Sequence, residues 1–248
     1  MEKVTAARVN WGSVAAYYAI ACLWSWPFFW RRDVLHIPDT PLTSMPRLVI
    51  HWGLMWGPGI GALVCMLAFH RSHRRVITLV GTSWVRSVLF YVTPFLLLAA
   101  FRAHTLFGYN KPALIAALPM FVSVLGEELG WRGFLQDALR PLPPVGRFVL
   151  IGVLWEFWHF TTRTAHGWSP LRTVITLLIS YSAVILLSFI LGFAAERSRS
   201  VLVAVALHSY IDVLLNNLDL YLPLLLALPV WALLLLTWPR ALAGKGTP

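Results

Sequence analysis

Four carboxylates occur where the sequence is otherwise apolar. The stretch "LGEELGWRGFL" at 125–135 carries Glu127 and Glu128, and Glu156 and Asp212 lie within or at the edge of later apolar segments. A carboxylate at the centre of a membrane helix costs about 2.5–3.5 kcal/mol on insertion scales, so such residues usually face a partner or a water-filled cavity. All four are therefore candidates for function.

Helical geometry separates the two adjacent glutamates. At 100° per residue, Arg132 lies about 40° from Glu128 around the helix axis and about 140° from Glu127. The spacing predicts a Glu128–Arg132 pair that keeps Glu128 ionised and oriented, while Glu127 is left to hold water, a proton or a metal ion. Three glycines thin this helix and allow a neighbouring helix or a substrate backbone to come close; they are Gly126, Gly130 and Gly133.

Two further groups have the spacing of one helical turn. "WEFWH" puts Trp155 and His159 at i and i+4, and "HSYID" does the same for His208 and Asp212. A single intramembrane histidine more often bonds a neighbouring helix. Two histidines with a free Glu and an Asp on separate helices favour a site, because imidazole and carboxylate can activate water directly or through a divalent metal.

Four polar or reactive residues in apolar segments, including the carboxylate of Glu156, are assigned no role in the site. His51 and Glu156 lack comparable neighbours, and we expect Glu156 to snorkel or to pair locally. Cys22 and Cys65 both fall inside predicted spans. Their positions indicate neither a disulfide framework nor a thiolate metal site.

The composition is that of a membrane protein. Of 248 residues, 58% are hydrophobic and 12% are charged, whereas soluble domains are about 25% charged. We predict an all-α polytopic membrane protein, a single domain over 1–248, with about eight transmembrane helices in one bundle. The eight segments are long enough to span a bilayer: 11–30, 48–69, 84–102, 111–131, 146–163, 172–195, 200–217 and 220–239. The fourth helix is expected to continue to about Leu139, and a Gly-Pro kink with close helix contact is expected in "WGPGIGA" at 56–62.

The net charge of +10 is explained by topology. Basic residues are dispersed among short loops, so no nucleic-acid partner is expected. With eight spans, twelve Lys and Arg fall on one side and seven on the other, with Arg132 inside a span. Because Lys and Arg accumulate on the cytoplasmic side, both termini are expected to be cytoplasmic. The high ratio of Arg to Lys is associated with bacterial genomes, and the bacterial inner membrane is the expected location.

The three motifs "EELGWR", "WEFWH" and "HSYID" resemble those of a known family. The CAAX-protease and bacteriocin-processing family (CPBP, Abi) of intramembrane endopeptidases has EExxxR, then FxxxH, then HxxxN or HxxxD on later helices. The resemblance covers about residues 111–217, in the right order and on separate predicted helices. One EExxxR is a weak signal, but three motifs together in a multispan protein are a strong one.

The resemblance implies peptide-bond hydrolysis in the lipid bilayer, on a membrane protein or peptide substrate. Glu127 with His159 would activate a water molecule. His208 and its partner Asp212 would stabilise the tetrahedral oxyanion. The second glutamate of the first motif and its arginine would be structural and orienting partners.

The sequence departs from the family pattern at two positions. Trp155 replaces the usual Phe, which keeps an aromatic wall but changes the shape of the cavity. Asp212 stands where the best-studied members have Asn, and an ionised carboxylate cannot donate a hydrogen bond. Asp212 would therefore be protonated, orient His208, or bind a metal. The metal alternative would use the two motif histidines with Glu127 and Asp212 as a shell for a divalent ion such as zinc.

Other functions remain open at this point. The chain could be a non-catalytic scaffold or a bacteriocin-immunity protein, although a scaffold has no reason to carry buried charge. It could also be an ion-coupled transporter, for which intramembrane carboxylates are natural, although no repeated halves are visible. A bacterial chain would have no supply of prenylated CAAX proteins, so the substrate is open as well.

Overall fold

The computed structural model describes residues 8–34, 45–69, 75–105, 111–160, 169–216 and 221–239. Within these ranges the protein is helical, apart from an isolated parallel bridge between Thr78 and Ser200. Nine helices make up the described part: α1 (Trp11–Val34), α2 (Met45–Met55), α3 (Gly57–Ala68), α4 (Trp84–Thr105), α5 (Lys111–Gly130), α6 (Pro144–Trp158), α7 (Pro170–Ser198), α8 (Val201–Asn216) and α9 (Tyr221–Leu236).

The all-helical class is confirmed, and each of the eight predicted segments contains a helix. Among the described residues, α7 alone is long and apolar enough to cross a membrane by itself. Val49–Met55 and Gly57–Ala68 also qualify if the bent pair is counted as one span. The helical part of the prediction is therefore confirmed, and the number of spans stays a prediction.

The predicted second span is broken. Residues 48–69 form two helices that meet at Trp56 with a bend of 50°. Pro58 lies in the first turn of α3, where its missing N–H is tolerated but where it would disrupt a helix continuing from α2. The kink expected from the Gly-Pro sequence is confirmed.

Glycines let α1, α3 and α5 approach at backbone distance. A Cβ added at Gly59 would lie 2.8 Å from the carbonyl oxygen of Gly126 in α5. A Cβ added at Gly61 would lie 2.8 Å from the carbonyl oxygen of Tyr17 in α1. These contacts confirm the close helix packing predicted for this stretch, and they hold α3 against the helix that carries the paired glutamates.

Helix α5 continues past Gly130 through a π-helical turn. The turn covers Trp131–Leu135 and is followed by a last α turn at Gln136–Ala138. The Gln136 amide donates to the Trp131 carbonyl oxygen, five residues back. The helix thus ends next to Leu139, as predicted. π turns inside α-helices are frequent at functional sites, and this one contains Arg132.

Asp137 fastens the end of α5 to the segment before α4. Its Oδ2 accepts hydrogen bonds from the Val76 and Ile77 amides at 2.6 and 2.8 Å. The neighbouring Thr78 pairs with Ser200, immediately before α8 begins. The end of α5 and the start of α8 are therefore fixed to the same short segment, and α5 and α8 carry the first and third motifs.

The Gly59 contact can be tested by adding one methyl group. Gly59→Ala should lower the free energy of unfolding by about 1–3 kcal/mol, because the methyl meets backbone that cannot rotate away. Thermal unfolding of the detergent-solubilised protein, followed by circular dichroism, measures the change. Gly146→Ala is the matched control, since nothing lies within 4 Å of its added Cβ. Equal effects of the two substitutions would contradict the close contact.

Candidate active site

Glu128 is the centre of a buried hydrogen-bond network. Arg132 Nη1 donates to its carboxylate at 3.1 Å, and His208 Nδ1 lies 2.8 Å from Oε1. Glu128 and Arg132 are 0% exposed. The pair predicted from helical spacing is confirmed. The contact with His208 was not predicted, and it links α5 to α8.

The buried guanidinium of Arg132 has a second partner. Its Cζ lies 4.6 Å from the centroid of the Trp155 ring, within the range of a cation–π interaction. A charge taken out of water is tolerated when it is both paired and bonded. Arg132 is paired with a carboxylate on its own helix and contacts an aromatic ring on α6, while its Nε and Nη2 have no hydrogen-bond partner among the described residues.

Glu127 points to a different helix. Trp155 Nε1 donates a hydrogen bond to Glu127 Oε2 at 2.9 Å. Both residues are buried. The two adjacent carboxylates thus contact α6 and α8 separately, which confirms the angular separation predicted from the sequence. The indole–carboxylate bond was not predicted.

The three motifs meet at the Trp155 indole. Its ring centroid lies 5.0 Å from that of His208 in an edge-on arrangement, and 6.3 Å from that of His159. His159 is the C-cap residue of α6, and its ring lies 4.6 Å from that of Trp158. Side chains separated by up to 81 positions in the chain are therefore gathered around one aromatic ring.

Glu156 corrects one expectation. It does not snorkel, because it is 1% exposed. The Ser180 hydroxyl of α7 donates to its carboxylate, and Glu156 Oε2 lies 4.0 Å from His159 Nδ1. Local pairing is confirmed, but the pairing is with a motif histidine. The i, i+3 spacing of Glu156 and His159 was the available signal, and Ser180 could not be identified from spacing because it lies on another helix.

Asp212 lies beside the second ring nitrogen of His208. Its Oδ2 is 3.7 Å from His208 Nε2, and its side chain is 31% exposed. Each nitrogen of the His208 ring therefore faces a carboxylate, Glu128 on one side and Asp212 on the other. This distance suits Asp212 as a charge partner that orients His208, one of the three roles considered for it.

The candidate metal ligands do not form a metal shell in this arrangement. Within the described ranges, no group of three or more His, Cys, Asp and Glu side chains is placed to hold a metal ion. Glu127 is bonded to Trp155, and His208 is bonded to Glu128. Two of the four suggested donors, Glu127 and His208, are thus engaged in separate hydrogen bonds, while Asp212 lies 3.7 Å from His208.

The Glu128–Arg132 pair predicts a strong coupling in stability. Arg132→Met should lower the free energy of unfolding by about 3–5 kcal/mol, because it leaves Glu128 buried without its cation. Combining it with Glu128→Gln should cost much less than the sum of the single substitutions. Denaturant unfolding of the detergent-solubilised variants measures this double-mutant cycle. Additive losses would mean that the two side chains do not interact.

Comparison with known proteins agrees with the motifs. The family model described as type II CAAX prenyl endopeptidase Rce1-like matches residues 109–214. This range includes all three motifs. No curated protein and no solved structure matches the chain. The match confirms the resemblance drawn from the sequence.

Proposed function

We propose that this chain is an intramembrane endopeptidase that uses Glu127 to activate water. Its residues 109–214 match the family model of the Rce1-like type II CAAX prenyl endopeptidases. The family implies protease activity and a protein or peptide substrate in a membrane. The observation that best supports this proposal is the gathering of three motifs around Trp155, with Glu127 bonded to the indole at 2.9 Å. The substrate we propose is a membrane-associated protein or peptide.

Glu127 is the proposed general base. Its described hydrogen bond comes from a neutral indole, and an ionised carboxylate can accept further bonds. It therefore keeps the capacity to accept a bond from water and to take the proton as the water oxygen attacks the peptide carbonyl carbon. That proton then passes to the departing amide nitrogen as the C–N bond breaks. His159 would hold the same water.

His208 is the proposed donor to the oxyanion of the tetrahedral intermediate. A neutral imidazole that donates from Nδ1 to Glu128 can only accept at Nε2. An imidazolium donates from both nitrogens, and the carboxylates of Glu128 and Asp212 offset its charge. Asp212 would then orient His208 in place of the asparagine of other members. Nδ1 is bonded to Glu128, whereas the 3.7 Å between Nε2 and Asp212 is too long for a hydrogen bond. The Nε2–H of His208 would therefore donate to the oxyanion.

The membrane arrangement forms part of the proposal. Helices occur in all eight apolar segments, and α7 exposes large apolar side chains along its length, as a lipid-facing helix does; examples are Leu171, Leu178, Ile179, Leu186 and Phe193. We propose eight spans with both termini in the cytoplasm, in a bacterial inner membrane. The charge distribution of the loops supports this orientation.

Substitution of the water-activating residues tests the mechanism. Glu127→Gln and His159→Ala should each lower kcat by about 10²–10⁴-fold, the usual contribution of general-base catalysis. The assay uses purified protein in phospholipid vesicles with two quenched fluorescent peptides, one ending in a prenylated CAAX sequence and one forming a single unprenylated span. Glu196→Gln is the matched control, because Glu196 pairs with Arg147 and lies outside the site.

The outcomes separate the alternatives. Full activity of Glu127→Gln would disprove the assignment of the base. A chain that cuts neither peptide, and whose cellular phenotype survives Glu127→Ala, would be a scaffold or immunity protein. Solute uptake into the same vesicles, abolished by Glu127→Gln, would identify a transporter instead.

Chelation tests the role of a metal. Since Glu127 and His208 are engaged in separate hydrogen bonds, dialysis against EDTA and then 1,10-phenanthroline should lower the activity by no more than about twofold. Removal of a catalytic ion would lower it far more. The measurement is the rate of peptide cleavage before and after dialysis. Loss of activity that zinc restores would show that the donors rearrange around an ion and would overturn the metal-free mechanism.

A further inference from the structure

We infer that Trp155 is a positioning residue for Glu127, holding its carboxylate by an indole N–H where the family pattern has only an aromatic wall. This inference rests on the proposed function, because it assigns Trp155 a role in orienting the proposed base. It extends that function to a side chain whose ordinary interpretation is packing. The hydrogen-bonding group of Trp155, and not only its ring, would then contribute to turnover.

The first observation is a direct bond between two buried side chains. Trp155 Nε1 lies 2.9 Å from Glu127 Oε2. Trp155 is 1% exposed and Glu127 is 3% exposed. A bond to a charged acceptor that water cannot replace is among the stronger hydrogen bonds in proteins. It restricts the carboxylate to one orientation.

The second observation is that the indole itself is held in place. Arg132 lies over its face at 4.6 Å, and the edge-on ring of His208 lies 5.0 Å away. Trp131 contacts it as well, with ring centroids 6.3 Å apart. Contacts with α5 and α8 therefore fix the donor before it bonds Glu127. A fixed donor orients its acceptor, whereas a mobile one would not.

The chemistry of the donor matters because it is neutral. Arg132 pairs with Glu128 and offsets its charge, which is appropriate for a carboxylate whose role is structural. The same cation at Glu127 would stabilise its charged form and weaken it as a proton acceptor. A neutral indole N–H orients Glu127 while stabilising its charged form less than a direct bond from the guanidinium would. Phe at 155 would keep the ring contacts and lose this orientation.

The first arm of the test removes the N–H and keeps an aromatic ring. Trp155→Phe should lower kcat at least about tenfold, equivalent to one good hydrogen bond, with KM changed less than about twofold. Trp231→Phe is the matched control, because Trp231 is also buried and donates to the Phe90 carbonyl oxygen at 2.7 Å. Both enzymes are assayed in vesicles with the two quenched peptides, and their thermal midpoints are compared.

The second arm needs no activity. In ¹⁵N-tryptophan-labelled protein, the Trp155 indole N–H resonance is assigned through Trp155→Phe, or through Trp155→Tyr if the first variant does not fold. Glu127→Gln should shift this resonance, because a charged acceptor is replaced by a neutral one. The Trp231 resonance should stay unchanged. A merely packed Trp155 would show no such shift.

The two arms separate this inference from the proposed function. Unchanged kcat in a folded Trp155→Phe enzyme would overturn the inference. A Trp155 resonance that does not shift in Glu127→Gln would overturn it as well. Full activity of Glu127→Gln would overturn the proposed base instead. A shifted resonance together with a kcat that falls in Trp155→Phe, and not in Trp231→Phe, would support the positioning role.

Discussion

The described structure depends on one carboxylate that has no access to water. Glu128 is 0% exposed and lies between the guanidinium of Arg132 and the imidazole of His208. Removing a charge from water costs several kcal/mol, and only well-placed partners recover it. Because one partner is on α5 and the other on α8, the two helices can satisfy Glu128 only in a narrow range of relative positions. The requirement to compensate this charge therefore orders the first and third motifs relative to each other.

The surrounding fold supports this arrangement through close contacts between helices. Gly59 and Gly126 bring α3 against α5 at backbone distance, so the helix bearing the glutamates is supported on that side by backbone contact. The π turn at Trp131–Leu135 changes the helical register after the glutamates. Beyond it, Gln136 bonds the Gly192 carbonyl oxygen in α7, and Asp137 bonds the segment before α4. The same helix thus carries Glu127 and Glu128 and, about two turns later, is bonded to α7 and to the segment before α4.

Sequence reasoning predicted what depends on local periodicity. The helical class, the length of α5 and the Glu128–Arg132 pair follow from hydropathy and from 100° per residue, since each involves residues of one helix. The His208–Glu128 and Trp155–Glu127 bonds join residues that are 80 and 28 positions apart in the chain and lie on different helices. No rule of sequence spacing predicts which faces of two such helices pack together. The local partner of Glu156 could be predicted from spacing within one helix, whereas its bond from Ser180 could not, because Ser180 lies on another helix. The bend between α2 and α3 was foreseen as a kink, but its 50° angle does not follow from the Gly-Pro sequence.

Adjacent positions in a helix are about 100° apart, and this angle explains why two carboxylates in sequence can have different chemistry. Glu128 meets Arg132 one turn later, so its charge is matched by a cation and it becomes part of the framework. Glu127 is not hydrogen-bonded to that cation and meets α6 instead, where the indole of Trp155 donates a hydrogen bond to it. If Arg132 paired with Glu127 instead, the basicity of Glu127 would fall, and Glu128 would keep only His208 as a partner. The order of the two glutamates therefore decides which one pairs with Arg132 and His208 and which one bonds the indole of Trp155.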